Sequence, residues 1–211
     1  MWPPEALDFL RASSVLLVAF AQLTLTVLVL FMMFTLAPAY VTTVIGIQPR
    51  DSYVILLPAT LGAVTSAFVV GQFGRSFSRA RFLVLSLVAT GATLLVLASL
   101  PFGMRAVPAF AGFTRYFAVV FGLLLGLEFG ALLIPSLTVL QEQTTDEVRG
   151  RIFSLFFLAY NGATAIPILV AAALADAFGT ARVIGGLGAL LAAAGVGLAT
   201  VGERVYVARE R

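Results

Sequence analysis

Apolar positions along the chain do not alternate with polar ones; they run together in six long blocks. The blocks cover residues 13–36, 53–73, 82–100, 116–140, 152–175 and 183–201. A bilayer core about 30 Å thick needs roughly 20 consecutive apolar residues as a helix. The pattern therefore predicts an all-α membrane protein, a single six-helix transmembrane domain over residues 1–211. Pro38 closes the first block and Pro101 the third. None of the blocks contains arginine, and the acid well inside one of them is Glu128.

The polar segments between the blocks set an orientation. Arg11, Arg75, Arg79, Arg81, Arg149, Arg151, Arg204, Arg209 and Arg211 fall on one side, and Arg50, Arg105, Arg115 and Arg182 on the other. Nine against four, under the positive-inside rule, places both termini in the cytoplasm. The expected location is the inner membrane of a prokaryote. The leader "MWPPEALDFLR" holds two acids and one arginine, unlike the positive start of a secretory signal, so the first block is expected to stay as a span.

Composition sharpens this picture. Of 211 residues, 61% are hydrophobic and 11% charged, against about half and a quarter in soluble domains. The thirteen basic residues are all arginine, and the net charge is +3. With no polar domain to carry a basic surface, the arginines read as flanks of membrane spans and no nucleic acid is expected. The chain has no cysteine and no histidine. That leaves no thiolate nucleophile, histidine base or usual zinc cluster, so no enzyme, metal or cofactor is expected. The glycine run near Gly185 lies inside an apolar block, a context that rules out a dinucleotide fingerprint.

Small residues mark where helices should touch, because lipid gives them no hydrophobic push toward each other. "FGLLLGLEFGALLIP", residues 121–135, places Gly122, Gly126 and Gly130 four apart. "ATGAT" (89–93) and "GGLGALLAAAGVGLA" (185–199) read the same way. At about 100° per residue, Glu128 lies about 200° from Gly126 and Gly130, opposite the glycine ridge. A charged carboxylate facing lipid at that depth costs about 2.5–3.5 kcal/mol on insertion scales. Glu128 should therefore face a cavity or a polar partner, or carry a proton.

Other blocks hold polar groups too. Gln22 and Thr26 share one face of the first, and Tyr160, Asn161 and Thr164 one side of the fifth, ahead of Pro167. At 1.5 Å per residue, Gln22 is about 16 Å from Arg11, Glu128 about 20 Å from Arg115 and Asn161 about 15 Å from Arg151. The count puts all three near mid-depth, where transporters bind solutes and protons. Hydrogen-bonded glue between helices is the alternative for the amides and hydroxyls.

The segment "LTVLQEQTTDEVRGRIFSLFFLAYNGATAIPILVAAALADAFG", residues 137–179, resembles the second half of a major facilitator superfamily transporter, in its drug and siderophore exporter-like branch. Gln141, Asp146, Glu147, Arg149, Gly150, Arg151 and Phe153 stand where that branch carries a glutamine, an acidic stretch and Arg-Gly-Arg entering the next helix. The likeness implies one six-helix half of the facilitator fold, with the first and fourth spans lining a central cavity. It implies a half or subunit of a proton-coupled secondary transporter, an exporter or antiporter of small amphipathic or cationic solutes. Glu128, Gln22, Asn161, Thr26 and Tyr160 would then form the substrate or proton site. Asp146, Glu147, Arg149, Arg151 and Arg75 would form the gating loops, with the acids also favouring the helix N-terminus they precede. In "GQFGRSFSRARF" the arginines of the family's other loop motif remain, but Gly74 stands where the family has aspartate. Six spans supply one wall of a twelve-span carrier. The implied partners are lipid, a small-molecule solute and a second six-helix half, either a copy of this chain or a separate one. A fragment of a longer transporter, or a non-transporting scaffold that keeps the half-fold, is the alternative.

Overall fold

The computed structural model describes residues 14–51, 53–73, 79–106, 112–142 and 146–207. They form six long helices: α1 (Ser14–Tyr40), α2 (Tyr53–Phe73), α3 (Arg79–Ala106), α4 (Thr114–Glu142), α5 (Asp146–Phe178) and α6 (Thr180–Val207). Among the described residues, five stretches are long and apolar enough to cross a membrane: Leu17–Ile45, Pro49–Gln72, Arg81–Met104, Thr114–Thr138 and Thr180–Thr200. The predicted fifth block falls within α5, whose described apolar part is Pro167–Phe178. The protein is thus all-helical and has the build of a multi-pass membrane protein. Large apolar side chains such as Leu61, Phe68 and Leu85 stand outward and exposed, as lipid-facing residues do.

Two glycine-lined contacts organise the packing. On α4, Gly122 lies over Ile55, Gly126 over Ala59 and Gly130 over Ala63 and Ser66 of α2, while Gly62 of α2 approaches Leu123 and Leu127. The contacts advance four residues at a time on both helices, so α2 and α4 run parallel in fixed register. A Cβ at Gly122 would come within 2.8 Å of the Ile55 carbonyl oxygen, which is why only glycine fits there. On the other side, Gly91 of α3 meets Gly188 and Ala192 of α6, Gly185 meets Ala98, and Gly195 meets Leu87 and Val88. Here the numbers run in opposite senses, so α3 and α6 are antiparallel. Close backbone approach replaces the hydrophobic drive that lipid withholds.

The other extensive pairings are α1 with α5, α4 and α6, α3 with α4, and α5 with α6. Exchanging α1 for α4, α2 for α5 and α3 for α6 maps the α1–α5 pair onto α4–α2, and α3–α4 onto α6–α1; the α1–α4 and α3–α6 pairs map onto themselves. These pairs fit a three-plus-three arrangement, whereas the α5–α6 pair has no α2–α3 counterpart of comparable extent. The main core gathers Val29, Met33, Leu36, Leu94, Leu132, Ile184 and Leu191 between α1, α3, α4 and α6. A smaller cluster of Leu23, Val27 and Phe156 joins α1 to α5, with Leu133 and Leu137 of α4 packed on it.

Helix ends follow local chemistry. Beyond Tyr40, α1 continues as one wider π turn over Val41–Ile45, which stops at Gly46 with φ 75°. Gly179, with φ 87°, separates α5 from α6, and its N–H bonds the Ala175 carbonyl at 2.9 Å. Both positions need the left-handed conformation that glycine adopts without penalty. At the start of α4, Arg115 pairs with Asp51 at 3.8 Å across the surface.

Candidate functional site

Glu128 stands midway along α4, and its residue is only 8% exposed. Because the glycine ridge is committed to α2, the opposite face of α4 turns inward, toward α3 and α1. On that face the Thr93 hydroxyl of α3 donates to Glu128 Oε1 at 2.7 Å. Glu128 Oε2 is buried with no hydrogen-bond partner among the described residues. The carboxyl group is therefore inside the helix bundle, with one oxygen held and the other open to a proton or to a group of a ligand. A buried oxygen left in that state is costly, on the order of 1–3 kcal/mol and more if charged. Folding alone gains nothing from it.

Thr93 is the partner that the sequence did not single out. It lies in "ATGAT", read from the pattern as a packing stretch, and the structure divides that stretch by face. Gly91 packs against α6 while Thr93, about 200° further round the helix, meets Glu128. An acid in one block could have suggested a hydroxyl in another, but spacing does not say which of the many threonines it would be.

Gln22 and Thr26 are buried on α1, at 6% and 0% exposure. Gln22 Nε2, Gln22 Oε1 and Thr26 Oγ1 have no hydrogen-bond partner among the described residues. They are thus buried on one inner face, as their spacing predicts. Their level differs from that of Glu128. The Leu23–Val27–Phe156 cluster carries Leu133 and Leu137 of α4, which sets this part of α1 beside the 133–137 segment. That segment is centred about 10 Å along α4 from Glu128. Counting residues from the flanking arginines put the three at one depth because it treats every helix as starting at the same plane.

Asn161 is exposed, and its Nδ2 donates to the Phe157 carbonyl of its own helix at 2.7 Å. The structure thus keeps it on α5 but outside the buried group formed by Glu128 and Thr93. The side chains of Tyr160, Thr164, Asp146, Glu147, Arg149 and Arg151 lie outside those described, although the backbone of all six is helical within α5. Arg75 lies outside the described residues altogether. Ser66, at the α2–α4 contact, is a further buried hydroxyl without a partner among the described residues. No group of three or more metal-ligating side chains occurs among the described residues.

No family profile, no curated protein and no solved structure matches the chain.

Proposed function

We propose that the protein is a half or subunit of a secondary active transporter that exports a small amphipathic or cationic solute in exchange for protons. The observation that carries this reading is Glu128, an acid at mid-helix, buried inside the bundle, with Oε2 unpartnered among the described residues. Ionisable groups in that setting are costly to keep and mark proton or ion paths. Gln22 and Thr26, buried with partnerless polar atoms on a neighbouring helix, are the second element, suited to hydrogen-bond a solute. The resemblance of residues 137–179 to a facilitator half supports the same class, and most of the helix pairings fit the three-plus-three build that transporters favour. On this reading the cavity is completed by a second six-helix half, and the complex sits in the inner membrane of a prokaryote with both termini in the cytoplasm.

The test is proton-driven uptake of a fluorescent amphipathic cation by inside-out vesicles that carry the full chain with its second half. Glu128→Gln should insert normally and abolish the pH-driven flux. Unchanged flux with unchanged pH dependence would remove Glu128 from the coupling step.

A further inference from the structure

Threonines in this protein have a common habit. Thr24, Thr35, Thr60, Thr65, Thr90 and Thr138 each donate to the carbonyl four residues back in their own helix. That is the common choice for a hydroxyl on a membrane helix, because the carbonyl one turn back is close by. Thr93 departs from it. Its hydroxyl donates across to α4, to Glu128 Oε1.

The two partners are held by different neighbours. α3 is fixed to α6 through Gly91, Gly188 and Gly195, and α4 is fixed to α2 through Gly62, Gly122, Gly126 and Gly130. Both contacts involve main chain and resist sliding or rotation. The hydroxyl and the carboxyl are therefore presented to each other by two rigid helix pairs, and the bond between them bridges the pairs.

We propose that Thr93 is a positioning residue for the Glu128 carboxyl: by holding Oε1 it fixes the carboxyl plane and assigns Oε2 as the oxygen that takes and releases the proton. This rests on the reading of Glu128 as the exchangeable acid. Protonation forms the Oε2–H bond with a proton drawn from water, and release returns it to water. Oε1 accepts from Thr93 in both states, with the stronger bond when the group is ionised. Other ionisable groups on the elements packed against α4 are remote or occupied. Tyr40 of α1 donates its hydroxyl to the Leu97 carbonyl. Asp51 and Arg115 pair at the surface, and Tyr53 opens α2. Arg79, Arg81 and Arg105 stand near the two ends of α3, Arg81 about 18 Å along the helix from Thr93.

Infrared difference spectroscopy of the full chain in phosphatidylcholine vesicles tests the assignment without any solute. The acid C=O band of Glu128 appears on acidification and is identified by its loss in Glu128→Gln. In Thr93→Val the band should move to higher wavenumber, because the C=O loses its donor. Thr93→Ser should restore the original position. Thr93→Ala, which also lacks the hydroxyl, serves if the valine variant does not insert. A band that stays in place in the variants without hydroxyl overturns the positioning role while leaving Glu128 as an exchangeable acid. Absence of an acid band in the wild-type chain at every pH overturns both.

Discussion

Tyr40 donates its hydroxyl to the main-chain carbonyl of Leu97, linking the C-terminal end of α1 to α3. The acceptor is not an arbitrary carbonyl. In a regular helix the Leu97 oxygen would accept from the N–H four residues on, but that residue is Pro101, which has none. In a membrane an orphaned carbonyl must find a donor inside the protein. The tyrosine on the neighbouring helix supplies one, and it does so next to the π turn that ends α1.

Tyr40→Phe should therefore destabilise the protein by about 1–3 kcal/mol, because the Leu97 carbonyl is left buried and unmet. Loosening should appear first at the end of α1. Amide hydrogen exchange in detergent would show faster exchange over residues 41–47 than over the α2–α4 contact. Equal protection in variant and wild type would show that the bond contributes little.

Replacing Gly126 or Gly62 by alanine should disrupt the α2–α4 contact. In both cases the added Cβ falls on the facing main chain, the Ala59 carbonyl for Gly126 and the Leu123 carbonyl for Gly62. Backbone cannot rotate aside as a side chain can, so each change should cost at least about 1–3 kcal/mol in a denaturant titration in micelles. Gly197→Ala is the matched control, since nothing lies within 4 Å of its added Cβ. It should unfold at the same denaturant concentration as the wild type, or slightly higher.

Thr26→Val should stabilise the fold. The hydroxyl is at 0% exposure with no partner among the described residues, so the near-isosteric methyl removes a polar group whose burial is uncompensated. A gain of about 1 kcal/mol is expected. On the transporter reading the same change reduces flux, the usual trade between stability and activity at a functional site. Thermal melting paired with vesicle uptake measures both. A loss of stability would instead mark Thr26 as glue between helices.

Asp51→Asn should leave stability nearly unchanged. Its pairing with Arg115 at 3.8 Å involves a largely exposed arginine, and exposed pairs contribute from zero to about 1 kcal/mol. Unfolding midpoints measured at low and high salt should agree between variant and wild type within about 0.5 kcal/mol.

Much of the architecture was legible in residue order because lipid imposes a simple rule: a span must be apolar, helical and long enough. Long apolar blocks separated by arginine-bearing segments satisfy it without reference to neighbours. The glycine ridge of α4 was equally legible, since small residues four apart can only make a flat face. Glu128 stood out against its surroundings, and its placement opposite the ridge follows from helix geometry. The burial of Gln22 and Thr26 on one face followed from the same periodicity.

Which helix each face meets was settled only by tertiary packing. The ridge Gly122–Gly126–Gly130 could have served any neighbour; it meets α2, in parallel, because Gly62 and the small side chains of Ala59, Ala63 and Ser66 complete the close approach. That choice turns Glu128 toward α3, where Thr93 becomes its partner, and sets Gln22 and Thr26 at another level along α4. Tertiary packing likewise decides that Tyr40 reaches the carbonyl freed by Pro101. The physical reason is that hydropathy constrains a residue's depth and helicity one helix at a time. Partner, register and hydrogen-bond acceptor depend on pairs of helices, and no term in a single chain segment encodes them.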